Sequence, residues 1–277
     1  MTESAPGRPA QIDRHIERVL SDTDEVGLPL VRDVLPESSD RWYGLLVVAV
    51  YESLADSRDT EIVLPAAAAI ELLRGYVRLR SRLLVRLADN HAHSLTTDRT
   101  SSLLAGDYLY TAAFSALPTL SDTPSGDCFA VLTSVLETIT DAFARTYAAA
   151  ESTDHDQAML VDDTAGSLGE GAALLGAVLA GIEGPNRRDV ARFGRGLSTA
   201  RQSARILDAD PSEAIVVPPR FDETQLRALA DRRRDDANRA LDALPETVDV
   251  ARLRAFVASD EPTRDPTDQA TDGDALE

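Results

Sequence analysis

The sequence predicts an all-α protein, and three observations carry that prediction. Apolar residues recur at helical spacing almost throughout, and no segment shows a convincing two-residue strand alternation. The longest periodic stretch, Pro65 to Leu87 (PAAAAIELLRGYVRLRSRLLVRL), is written in strong helix formers behind a proline that suits a first turn. Where helix is excluded, the reason is local: DPSEAIVVPPR holds three prolines and reads as a connector.

Taken in order, residues Met1 to Pro9 are small and polar, and positions 1–10 are expected to be disordered. A first helix is expected from about Gln11 to Leu20. DRWYGLLVVAVYESLAD carries a strongly apolar helix centred on Leu45 to Tyr51, and the stretch from Pro65 follows. In that stretch Arg74, Arg78, Arg82 and Arg86 recur every fourth residue as one slowly drifting stripe. Leu72, Tyr76, Leu79, Leu83 and Leu87 fill the other face and are expected to pack. Like charges at this spacing repel by a few tenths of a kcal/mol per pair. Carboxylates of a neighbouring helix, solvent or a bound anion must offset them.

ADNHAHSLTTDRTS reads as a polar loop, and a helix from about Thr100 (SSLLAGDYLYTAAFSAL) ends before Pro118. The turn-rich SDTPSGD leads to a helix from about Cys128 to Ala150. A further loop holds His155, Asp162 and Asp163, and AGSLGEGAALLGAVLAGI forms a small-residue helix that neighbours can approach closely. The next helix, DVARFGRGLSTARQSARIL, opens after Pro185. Beyond the connector, FDETQLRALADRRRDDANRALDAL and VDVARLRAFVAS close a helical domain spanning 11–258. Residues Ser259 to Glu277 read as an acidic, solvated tail.

The 277 residues carry a formal net charge of -19, and every basic residue is arginine; lysine does not occur. Acid-rich, lysine-free chains of this kind look like proteins of salt-loving cells, where salt screens the self-repulsion. The charge argues against nucleic-acid binding, which calls for a basic patch. Cys128 is the one cysteine, so neither an intrachain disulfide nor a cysteine zinc site is expected. No apolar run is long enough to span a bilayer, and TESAPGRPAQ lacks a signal-peptide core, so a cytoplasmic protein is expected.

Five segments in order resemble the trans-isoprenyl diphosphate synthases, also called polyprenyl synthetases. They are AAAIELL (Ala67 to Leu73), LLAGDYLYTAAF (Leu103 to Phe114), DTAGSLGEGAALLGAVLAGI (Asp163 to Ile182), FGRGLSTARQ (Phe193 to Gln202) and ANRALDALPETVDVARLRAFV (Ala237 to Val257). The resemblance covers most of residues 10–258 and implies an isoprenoid-synthase-type helical bundle. It also implies Mg²⁺ held on two Asp-Asp-x-x-Asp motifs of facing helices, assisting departure of an allylic diphosphate that isopentenyl diphosphate then attacks. Mg²⁺ prefers oxygen ligands and bridges to phosphates.

In the register of the resemblance both motifs are missing. The first falls on Ser81, Arg82 and Val85, the second on Arg205, Ile206 and Ala209, with Asp208 and Asp210 one step away. A step on a helix rotates a side chain by roughly 100°. The family's early Gly-Lys-x-Arg-Pro reads SDRWYG, which keeps Arg41 but sets Asp40 and Tyr43 where a lysine and an arginine belong. Its Lys-Thr pair reads Asp163-Thr164. Thr164 and Gln202 survive from the substrate-contacting set, and Tyr76 stands where an aromatic limits chain length.

Accordingly no catalytic or metal residue is expected. Arg74, Arg78, Arg82, Thr164, Gln202 and Arg205 are the candidate ligand-binding residues: guanidiniums can hold a diphosphate without metal. Against this stands pairing of the arginines with the chain's own acids. His91 and His93, near Asp89 and Asp98, lack a third well-placed ligand, and Asp107 reads as structural. The resemblance leaves three functions open. The first is a catalytically degenerate partner or regulator of an active prenyl synthase, as a heterodimer or a homodimer, through the helix bearing Leu103, Leu104, Leu109, Phe114 and Leu117. The second is an active prenyltransferase, the one case calling for Mg²⁺, and the third a metal-independent binder of isoprenoid diphosphate or another anion.

Overall fold

The computed structural model describes residues 7–21, 29–35, 40–55, 59–88, 99–117, 125–148, 159–208 and 214–260, and among them every regular element is helical. The helices are α1 (Arg8–Val19), α2 (Leu30–Asp33), α3 (Trp42–Leu54), α4 (Leu64–Ala88), α5 (Arg99–Ala116), α6 (Ser125–Phe143), α7 (Ser167–Leu179), α8 (Gly184–Leu207), α9 (Glu223–Asp242) and α10 (Val250–Asp260). The all-α expectation holds. No helix among the described residues is long and apolar enough to cross a membrane.

Helix α4 is the central rod. From Leu64 to Gly75 every residue is buried, because α1, α3, α5, α6 and α7 all pack around it. Alanines at 66–69 permit that crowding: a short side chain lets neighbouring backbones close in. Past Gly75 the helix emerges, and burial becomes one-sided. Leu79 and Leu83 are buried and Tyr76 is half-buried, as the apolar face requires, but Leu87 lies beyond the packing and is half exposed.

The other central crossing joins α7 to α8. A Cβ at Gly169 would meet the Gly194 carbonyl oxygen at 2.3 Å and the Ser198 Cβ at the same distance. The small-residue face of α7 is therefore a backbone-to-backbone contact. Helix α8 in turn carries α9 on its far side, and α10 packs across α3.

Several boundaries differ from expectation. Helix α1 starts at Arg8, with Pro9 in its first turn where a missing N–H costs nothing, so residues 8–10 are helical. Helix α6 begins at Ser125 rather than Cys128 and continues as a π-type turn over Ala144–Ala148. Asp162 and Asp163 are in no loop: residues 159–161 are helical, and a π-type turn over Asp162–Gly166 feeds directly into α7. The last helix runs on through Ser259 to Asp260. The 89–98 loop with His91 and His93, His155, and the tail beyond Asp260 lie outside the described residues, as do Ala209 and Asp210.

Candidate functional site

The sequence resemblance places its chemistry between α4 and α8, and a buried cluster of charged side chains lies there. Asp40, just ahead of α3, is its centre. Arg74 of α4 donates from Nη2 to Asp40 Oδ2 at 2.8 Å and from Nη1 to the Asp40 carbonyl at 2.9 Å. From α8, Arg205 approaches Asp40 Oδ2 at 3.2 Å and Arg201 approaches Oδ1 at 3.3 Å. Arg201 and Arg205 share a face because they are four residues apart. One carboxylate thus ties together three guanidiniums from two helices.

Apolar and aromatic groups enclose this cluster. Arg74 is 2 % exposed, its guanidinium lying 5.6 Å from the Tyr43 ring centroid, and Tyr43 shares a 2.8 Å hydrogen bond with Ser198 of α8. Arg201 stacks on Trp42 at 5.1 Å. Behind Arg74, the fully buried Glu71 accepts from the Gly44 N–H at 2.9 Å and from Arg74 Nη1 at 3.3 Å. The Asp40–Tyr43 segment therefore wedges between α4 and α8.

The electrostatics follow from this packing. Burial works against ionisation of Asp40, but Arg74, Arg205 and Arg201 outweigh it and hold the carboxyl well below the usual carboxylate range. Glu71 goes the other way: burial lifts its carboxyl above the usual range despite Arg74 and the Gly44 N–H. Arg201 is brought down to about 10, by burial first and then by Arg205. The Nε of Arg74 and the Nε1 of Trp42 are buried donors with no hydrogen-bond partner among the described residues.

A second buried carboxylate lies at the other side of α8. Asp162 has no exposed surface and accepts from Arg195 (3.0 and 2.9 Å), Arg233 of α9 (2.8 and 2.6 Å) and Thr199 (2.8 Å). Arg195 also reaches Asp163 at 2.7 Å and Glu170 at 3.0 Å. Burial disfavours the Asp162 anion, and the two arginines more than compensate, so its carboxyl is held low. This network joins the π-type turn, α8 and α9, and its acceptors are saturated by the chain itself.

The candidate residues from sequence do not converge on one ligand. Arg74 and Arg205 meet at Asp40. Arg78, half-buried, reaches the Val34 carbonyl at 3.5 Å, and Arg82 lies exposed on a shallow groove with Asp33 and Leu83. Thr164 is buried and donates to the Leu160 carbonyl at 2.5 Å, within its own helical turn. Gln202 clamps the connector, donating to the Val216 carbonyl at 3.1 Å and accepting from the Ile215 N–H at 3.2 Å. Arg201 escaped the sequence reading, although its position four before Arg205 placed it on the same face. Asp162, Arg195 and Arg233 escaped it because residues 33 and 71 apart meet only through the crossing of helices.

The residues present do not fit Mg²⁺. The positions that the sequence resemblance assigns to the first motif are Ser81, buried, the Arg82 cation and the Val85 hydrocarbon, and it assigns Arg205 and Ile206 to the second. Asp40, the carboxylate between the helices, is already engaged by three guanidiniums. No group of three or more His, Cys, Asp or Glu suited to a metal occurs among the described residues.

Comparison with solved structures places this arrangement in a known architecture. A geranylgeranyl pyrophosphate synthetase from the archaeon Geoglobus acetivorans superimposes with a TM-score of 0.71 at 19 % identity, over 91 % of this chain and 95 % of that one. The fold is that of the isoprenoid synthases. A geranyltransferase from Helicobacter pylori matches with a TM-score of 0.66 at 17 % identity, over 93 % and 99 % of the two chains. The heterotetrameric geranyl pyrophosphate synthase of mint matches with 0.59 at 17 %, over 90 % and 98 %. No family model matches the sequence, and none of the curated proteins does. The chain is thus polyprenyl-synthetase-like in architecture across nearly its whole length.

Proposed function

We propose that this protein is a prenyl-synthase-like subunit that has given up Mg²⁺–diphosphate chemistry and acts by pairing with an active prenyl synthase. The observation that carries the reading is Asp40 in the arginine cluster. Between α4 and α8, where the family binds metal and diphosphate, this chain holds an arginine trio engaged by its own carboxylate. An aspartate from the same chain stands where an anionic substrate would need those cations.

The partner role rests on α5. Leu103, Leu104 and Tyr110 are 42, 50 and 38 % exposed, and Tyr110 packs edge-on against the half-buried Phe114 at 5.1 Å. Leu109 and Leu117, expected in the same surface, are instead fully buried in this chain's own core, because α5 lies flat on α4. The remaining strip still offers apolar area that a partner helix would cover. That a heterotetrameric prenyl synthase shares the fold supports such an assembly. The lysine-free, -19 composition supports the cytoplasm of a salt-loving cell as the setting.

Affinity capture from native cells at their own salt tests the reading. An intact prenyl synthase is expected to co-purify in fixed stoichiometry, and its product yield or chain length is expected to change when this chain is added. Recovery of this chain with itself alone would count against the proposal.

A further inference from the structure

Helix α10 lies across α3 and is attached to the bundle by a few named groups. Among its described side chains Leu253 alone is fully buried, with Val250, Phe256 and Val257 half-buried and the rest exposed. Arg252 pairs with Glu52 in the last turn of α3, and Glu52 also accepts from Arg8 of α1 at 2.8 Å. Arg254 reaches Asp242 of α9 at 2.7 Å, but the two side chains are 62 and 66 % exposed. Such exposed pairs contribute at most about 1 kcal/mol. A helix of 11 residues is too short to persist alone in water, so α10 depends on this seating. At the other end of α3, Phe256 packs on Trp42 with ring centroids 5.6 Å apart. Trp42 is 6 % exposed, and its Nε1–H has no hydrogen-bond partner among the described residues. No directional bond fixes the indole. Its placement rests on contacts to the ring: Phe256 from α10, Tyr43 edge-on at 4.9 Å and the Arg201 guanidinium at 5.1 Å. A buried, unsatisfied N–H costs about 1–3 kcal/mol, which hydration recovers.

We propose that α10 is a strap that lifts from α3 as a unit while the rest of the bundle stays folded, and that Trp42 transmits its seating to the Asp40 cluster. In the seated state Phe256 and Arg201 both hold the indole, and Arg201 is held in turn by Asp40. When α10 lifts, the indole loses Phe256, its N–H gains water and the ring turns away from Arg201. The Arg201–Asp40 contact then loosens. Arg74 keeps Asp40 and Glu71 through bonds that do not involve the indole, so the core pair persists. Coupling of this kind is reciprocal: whatever loosens the hold of Asp40 on Arg201 also loosens α10. The strap operates within one chain and does not depend on pairing with a synthase.

Native-state hydrogen exchange on the full chain tests both parts, with α10 read against α3 and against the α8 turn that carries Arg201 and Arg205. The α10 amides are expected to exchange together, about 100-fold faster than those of Leu46 to Tyr51 in α3. Phe256→Ala is expected to speed α10 exchange about tenfold and to speed exchange in that α8 turn as well. Asp40→Asn and Arg201→Gln, both outside α10, are each expected to speed α10 exchange severalfold in the folded protein. Asp107→Asn, which removes the exposed partner of Arg80, is the control and is expected to leave α10 unchanged. Exchange of α10 only together with α3, in global unfolding, would overturn the strap. An α8 turn unaffected by Phe256→Ala, or α10 exchange at the wild-type rate in folded Asp40→Asn and Arg201→Gln proteins, would overturn the coupling. Equal acceleration by Asp107→Asn would overturn it too.

Discussion

The Asp40 carboxylate stands 3.2 Å from the Arg205 guanidinium, and the two residues are 165 apart in the chain. Asp40 sits on the short approach to α3, and Arg205 comes from the last turn of α8. Their contact, with Arg74 completing it from α4, fastens the two helices that the resemblance assigns to substrate binding.

Replacing Asp40 by asparagine leaves Arg74 buried with Glu71 as its one remaining carboxylate partner. Breaking a buried ion pair from one side is strongly destabilising, and because Asp40 keeps 23 % of its side chain exposed we expect a loss of about 2–3 kcal/mol. Chemical denaturation at fixed salt measures it. Glu71→Gln retains an acceptor for the Gly44 N–H and leaves Arg74 paired with Asp40, so it is expected to cost about 1 kcal/mol or less.

The pH dependence follows from the same residue. The Asp40 carboxyl is held below its ordinary range in the fold but returns to about 3.9 when unfolded. Its contribution is therefore complete above about pH 4 and is lost as the pH falls towards the folded value. Wild-type stability is expected to fall across that acid window more steeply than that of Asp40→Asn, which thermal unfolding at matched salt would show. Parallel curves would mean that Asp40 is not held by the arginines.

Asp162 is expected to be the most costly carboxylate to remove. Its oxygens accept from Arg195, Arg233 and Thr199 with no exposure, and Asp162→Ala leaves two guanidiniums facing an apolar gap. A loss of about 3–5 kcal/mol is expected, with α9 loosening from α8, readable by hydrogen exchange in both helices.

The α7–α8 crossing has no room for a methyl group. Gly169→Ala would place Cβ 2.3 Å from the Gly194 carbonyl oxygen, a backbone atom that cannot rotate away. The helices must part, at a cost of about 2–3 kcal/mol. Gly126→Ala, with nothing near the added carbon, serves as the control and is expected to be tolerated.

Cys128 is buried, and its thiol is pushed up to about 11, by burial first and then by Asp127. Little thiolate exists at neutral pH, and the thiolate is the reactive form. Alkylation of the native protein at pH 7 is expected to be slow and to become rapid on unfolding.

Sequence periodicity carried most of the architecture, because helix formers and apolar spacing are local properties. It failed where burial is set by neighbours. The Arg74–Arg86 stripe looked uniform, yet Arg74 is a core residue and Arg86 is exposed, since α4 leaves the bundle centre midway. Asp40 was legible as a carboxylate in a lysine's place, but not as the partner of Arg205, because nothing local links position 40 to 205. Asp162 and Asp163 look like loop acids by composition. Arg195, Arg233 and Arg145 arriving from other elements pair with them in their helical π-type turn.

The central claim is that Asp40 and three arginines have replaced Mg²⁺–diphosphate chemistry between α4 and α8. The most direct test incubates the purified protein with an allylic diphosphate, isopentenyl diphosphate and Mg²⁺ at molar salt and measures prenyl product. No product above a protein-free blank is expected, whatever the Mg²⁺ concentration. Mg²⁺-dependent prenyl product from the purified protein would contradict the account.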